Sequence, residues 1–149
     1  MCIALRGGSQ MPERKTIERA RRDKREGKAP STQAGEFVRE EIEHVREGKH
    51  GVRSTKQAIA IGLSKARRAG VNLKPPRKGE ASAATRKNAE RAMQAGHRRS
   101  RRTTATRSTT RSRATTRALE REGKRAVSRK ALSKQAHSAA LRRRRRAQA

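Results

Sequence analysis

The sequence predicts an all-α protein: a small helical module of two to three helices around a central hairpin, followed by a largely disordered basic tail with marginal helices. Three observations predict it. Apolar residues in the first half recur at spacings of three and four. Glycines and prolines stand where those runs end. The second half is dominated by Ala, Arg, Ser and Thr, which have little to bury.

Composition sets the scale of any core. Leu, Ile, Val and Phe number 17 of 149 residues, and eleven of them fall between Ile17 and Leu73, so the core is expected in the first half. That content is below the roughly 20% under which a strongly charged chain is largely disordered. With Phe37 as the one aromatic residue, the core should be small.

A first helix is expected over residues 16–26, closed by Gly27 and followed by Pro30. Ile17 and Ala20 are its thin apolar side, so it should fray unless another element covers Ile17. Ser31 or Thr32 is the expected cap of a second helix that runs to Glu47 and stops at Gly48. Ala34, Phe37, Val38, Ile42 and Val45 form its apolar stripe, and Glu36, Glu40, Glu41, Glu43 and Glu47 its acidic side.

The third helix carries the most agreement between signals. Ser54 and Gln57 stand three apart, the spacing at which each side chain bonds the other's backbone N–H. Ala58, Ile59, Gly62, Leu63 and Ala66 make one stripe; Lys56, Lys65, Arg67 and Arg68 make the expected cationic side. Gly70 stops the helix after two arginines, and Val71 is placed to fold back on the last turn. An acidic helix followed by a basic one predicts a hairpin whose stripes bury each other while opposite charges line the rims. In outline it is also a helix-turn-helix, with a loop longer than usual and only Ser54, Lys56 and Gln57 at the helix front suited to base edges.

Beyond this the chain divides into an unstructured leader (residues 1–11), the module (12–73), a Pro/Gly linker (74–81) and the basic tail (82–149). Met11-Pro12-Glu13-Arg14 reads as a natural start, so residues 1–10 are expected to be an upstream extension. In the tail, residues 82–95 have helical composition with a stop at Gly96, and residues 97–117 are a Ser/Thr/Arg tract expected to be disordered. Residues 118–122 and 128–141 are expected short helices, marginal in water. Arg142 to Arg146 is an unbroken arginine run.

Charge directs the functional reading. The net charge is +29, with 18 basic and 9 acidic groups in residues 1–74 and 24 and 4 in residues 75–149. A charge of that size predicts a polyanion, and double-stranded DNA is the leading candidate. A net +20 would offset roughly 35 Å of duplex, near ten base pairs, at about 1.7 Å per charge.

Other chemistries lack their residues. Cys2 is the single cysteine, which excludes an internal disulfide or a cysteine metal cluster. His44, His50, His97 and His137 lack the spacing of a zinc site and are expected to be solvated surface histidines, so no metal and no cofactor is expected. Without a glycine-rich phosphate loop or a core to support a pocket, an enzyme is not expected. The basic half has no aromatic residue, which argues against membrane-surface binding and against base stacking. No segment is apolar enough for a membrane span or secretion signal, so the expected location is cytoplasmic, at the nucleoid.

The run from Glu40 to Gly51, then Arg53-Ser54-Thr55-Lys56-Gln57-Ala58-Ile59-Ala60-Ile61-Gly62-Leu63-Ser64 through Gly70, resembles an uncharacterised bacterial family of small basic proteins commonly labelled DNA-binding. The likeness covers roughly residues 11–79. It implies DNA binding and supplies no catalytic or base-reading residue. The tail resembles, in composition alone, the basic tails of linker-histone-like bacterial proteins.

The expectation is nonspecific, histone-like DNA binding through phosphate contacts. Its candidate residues are Arg53, Lys56, Lys65, Arg67 and Arg68 on the module, and Arg98, Arg99, Arg101, Arg102, Arg107, Arg111, Arg113, Arg142, Arg143, Arg144, Arg145 and Arg146 on the tail. The alternatives are an RNA- or ribosome-associated basic protein, and a helical protein-interaction module with a tail that tethers it to nucleic acid.

Overall fold

The computed structural model describes residues 12–99 and 109–148. Its helices are α1 (Arg14–Arg25), α2 (Pro30–Glu47), α3 (Thr55–Arg68), α4 (Ala83–Arg99), α5 (Thr109–Glu120) and α6 (Arg129–Ala147), with a 3-10 turn at Arg125–Val127. The class is all-α, and the α2–α3 hairpin is its centre.

Local chemistry accounts for most boundaries. α2 begins two or three residues earlier than a Ser31 or Thr32 cap would set it, because Pro30 occupies its first position and no side chain caps it. Proline's fixed φ already suits a helix start and it has no N–H to satisfy. At the far end Gly48 adopts φ +83, and the Lys49 N–H returns to the His44 carbonyl at 3.0 Å. α3 opens on Ser54, whose Oγ accepts the Gln57 N–H at 3.2 Å. Gln57 reciprocates to the N–H of Arg53 at 2.9 Å, one residue before the expected donor. Gly70 (φ +94) closes the helix, and the Val71 N–H bonds the Ala66 carbonyl, which turns Val71 into the core.

Two apolar clusters hold the bundle. Ala20, Ala34, Phe37, Ala66 and Val71 form the first, and Ile17 packs against it, so α1 has the cover it needs. Val45, Val52, Ala58 and Val127 form the second. Val127 therefore carries the core past the first half of the chain. The segment leading to it lies over the α2–α3 loop, where Gly51 N–H bonds Leu119 O and Val52 N–H bonds Gly123 O.

Close helix approach depends on Gly62. A Cβ there would sit 2.6 Å from Val38 Cα and 2.9 Å from Val38 N, which are backbone atoms of α2. Gly62→Ala is expected to force the hairpin apart and to lower stability by about 1–3 kcal/mol, measured by urea denaturation. An unchanged midpoint would show that the helices have slack at this crossing.

The second half departs from expectation in three places. α4 runs through Gly96 to Arg99 and does not stop there. The glycine is used for contact, since a Cβ would lie 2.1 Å from the Arg67 carbonyl oxygen. The tract at 97–117, expected to lack structure, is helical at both ends. α6 absorbs the whole arginine run. The helical rise of about 1.5 Å per residue gives α6 roughly 28 Å, far less reach than an extended tail.

Candidate functional site

Two features could do chemistry: a buried charge cluster at the hairpin and a cationic outer surface.

The cluster begins with two adjacent acids on α2. Glu40 and Glu41 are 2% and 1% exposed, where the sequence placed them on an open acidic side. Lys65 of α3 reaches between them, 2.7 Å from Glu41 Oε2 and 3.6 Å from Glu40 Oε1. Glu40 Oε2 also accepts the backbone N–H of Glu13 at the start of α1, at 3.2 Å. Opposite charges thus lie inside the seam between helices. The pattern was in register with the stripes: Ala58, Gly62 and Lys65 follow at helical spacing, as do Ala34, Phe37 and Glu41.

The histidines are the second departure. His44 and His50 were expected in solvent, but His44 is buried and His50 is half-buried. His44 Nε2 stands 3.0 Å from Glu13 Oε1, and the two rings meet edge-on with centroids 6.3 Å apart. His50 Nδ1 donates to the Gly51 carbonyl at 3.2 Å, while its Nε2 lies 3.3 Å from Glu41 Oε1. One turn of α2 plus the glycine-bounded loop brings the two rings together, which no helical spacing in the sequence reveals. The hydrogen bond from His44, and then that from Lys49, hold the Glu13 carboxyl below its ordinary value.

Glu41, His44, His50 and Lys65 line a cleft of about 1070 Å³ between the hairpin and α4, whose far wall includes Asn88 and Arg91.

The expected nucleic-acid residues separate into groups. Lys65 is taken up in the cluster. Arg67 is 8% exposed, and its guanidinium donates to the carbonyls of Leu73 and Lys74 at 3.1 and 3.3 Å. Burial pushes that guanidinium below its usual pKa. Neither side chain projects to solvent as the cationic side of α3 was expected to. The front of α3 is covered as well: Thr55 Oγ1 donates to the Ala126 carbonyl, and exposed Arg53 pairs with Glu122 at 3.0 Å. Lys56, Arg68 and Arg98 are exposed. Arg142 to Arg146 are all exposed on α6, with Arg146 reaching Glu80 at 3.3 Å. Arg99 ends α4, and Arg111 and Arg113 lie on α5; their side chains are outside the described residues, as are Arg101, Arg102, Arg107 and the 1–11 leader.

No helix among the described residues is long and apolar enough to cross a membrane. Residues 9–79, just under half of the chain, match the model of a family of unknown function (DUF6496). The match spans α1, α2, α3 and residues 74–79 beyond them, and the family's description assigns no activity. No curated protein and no solved structure matches the chain.

Proposed function

We propose that this protein binds double-stranded DNA nonspecifically through the phosphate backbone, as a histone-like component of the nucleoid. The observation that carries the reading is α6. It has eight cations and no acid in 19 residues, and it buries none of them. Successive residues turn by about 100°, so Arg142 to Arg146 surround the helix and reach phosphates on both sides of a groove. Arginine's planar fork suits two phosphate oxygens at once.

The acids of the module support the same reading from the other side. Glu13, Asp23, Glu26, Glu36, Glu40, Glu41, Glu43 and Glu47 all lie in ion pairs within the first 65 residues. Little negative charge is left to oppose the tail. The apolar faces of the hairpin are occupied by α1, α4 and the Val127 turn, which leaves a protein-docking module less surface to offer.

A filter-binding titration against salt tests the proposal. With six to ten phosphate contacts, affinity falls by roughly three to five decades between 50 and 200 mM salt. A shallow slope counts against it. Preference for duplex RNA over duplex DNA in competition would instead assign an RNA partner. Deleting residues 75–149 is a poor test, because it also removes Val127 from the core.

A further inference from the structure

We infer that Glu41, His44 and His50 form a binding site for a divalent transition-metal ion of the zinc class, which ties the α2–α3 loop back onto α2. This goes beyond the nucleic-acid reading and does not depend on it.

The first observation is a proton count at His50. A carbonyl oxygen only accepts, so the 3.2 Å contact with Gly51 O places the ring proton on Nδ1. With the proton there and none on Nε2, the ring points a lone pair at Glu41 Oε1, 3.3 Å away. Two lone pairs repel unless a positive particle lies between them. Zinc bonds of about 2.0–2.1 Å to nitrogen and oxygen at a tetrahedral angle give a separation of roughly 3.3 Å. The separation fits a shared cation.

The second observation is Glu41 itself. Its carboxylate is 1% exposed, and neither oxygen receives a hydrogen bond of proper direction, although Lys65 Nζ stands 2.7 Å from Oε2. Lys65 holds one oxygen and leaves the other turned to His50. His44 places a ring nitrogen so that the three donor atoms all lie within 4.8 Å of one another.

The surroundings are those of a metal site. His50 Nδ1 is held by a backbone carbonyl, the kind of outer partner that fixes a ligating imidazole, and His44 Nε2 stands 3.0 Å from the Glu13 carboxylate. Around the rings the carboxylates of Glu13, Glu40, Glu41 and Glu47 outnumber the amines of Lys49 and Lys65, so a cation is favoured. The cleft offers an entry path. Two imidazoles and a carboxylate suit Zn²⁺, Co²⁺ or Ni²⁺, and not Mg²⁺ or Ca²⁺, which prefer all-oxygen sites. A small module with few branched apolar residues gains most from such a staple.

The test uses the tag-free, chelator-stripped full-length protein at neutral pH. Calorimetric titration with Zn²⁺ should show one equivalent bound and a raised thermal midpoint, with Mg²⁺ inert. Loaded with Co²⁺, the protein should show the intense visible bands of a four- or five-coordinate ion. His44→Gln and His50→Gln should each weaken Zn²⁺ binding at least about tenfold, while His97→Gln and His137→Gln leave it unchanged. Absence of stoichiometric binding to the wild type, a Co²⁺ spectrum like that of the aquo ion, or binding indifferent to His44 and His50 would overturn the inference. If the two variants fail to fold, the wild-type Co²⁺ spectrum decides.

Discussion

Replacing Arg142 through Arg146 with glutamine is expected to lower affinity of the full-length protein for duplex DNA by roughly three to four decades at about 0.1 M salt. Each phosphate contact contributes about 0.9 to the slope of log affinity against log salt, so three to five lost contacts flatten that slope by roughly three to four. The loss should be the same for unrelated DNA sequences, because phosphate contacts carry no base information. Glutamine keeps the helix propensity of the segment and removes only its charge. α6 buries no residue, so circular dichroism and the thermal midpoint should stay where they are. A loss of less than tenfold, with the fold intact, would remove α6 as the principal contact. Arg146 already reaches Glu80, a surface pair worth little, and should matter least of the five.

Lys65→Met is expected to cost about 3–5 kcal/mol of folding stability, the usual penalty for stripping one partner from a buried ion pair. Methionine fills most of the space of the lysine stem, so the loss reports charge and not volume. Glu40 and Glu41 would be left side by side with their shared ammonium gone. For a domain whose total stability is on the order of 5–15 kcal/mol, much of the population would unfold at moderate urea. Replacing Glu40 and Glu41 by glutamine in the same chain should recover a large part of the loss, since no unpaired charge remains. A single-variant cost below about 1 kcal/mol would place the pair in water and argue against a sealed seam.

These two residue sets mark how far the sequence could be read. Gly48 and Gly70 stop the helices they were expected to stop, and Ser54 caps α3, because those effects act within one turn of the chain. The stripe of α2 was legible for the same reason, and Phe37 and Val45 lie on it fully buried. Lys65 and Arg67 were assigned to an open cationic side because lysine and arginine are almost never buried without partners. Their partners are distant: Glu40 and Glu41 lie on another helix, and Arg67 donates to carbonyls beyond the glycine stop. The clue for Lys65 was its place on the apolar register of α3, matched by an acid on the register of α2.

By itself the sequence determined the helical class, the hairpin and its glycine stops, and the surplus of positive charge that grows toward the C-terminus. Propensity, capping and net charge are properties of a residue and its near neighbours, so no fold is needed to read them. Only the tertiary structure decided that Lys65 faces inward, that His44 and His50 meet around Glu41, and that Val127 completes a cluster begun about eighty residues earlier with Val45. Those outcomes depend on which distant groups share a low-dielectric space, where an unpaired charge or lone pair is costly enough to choose its neighbour.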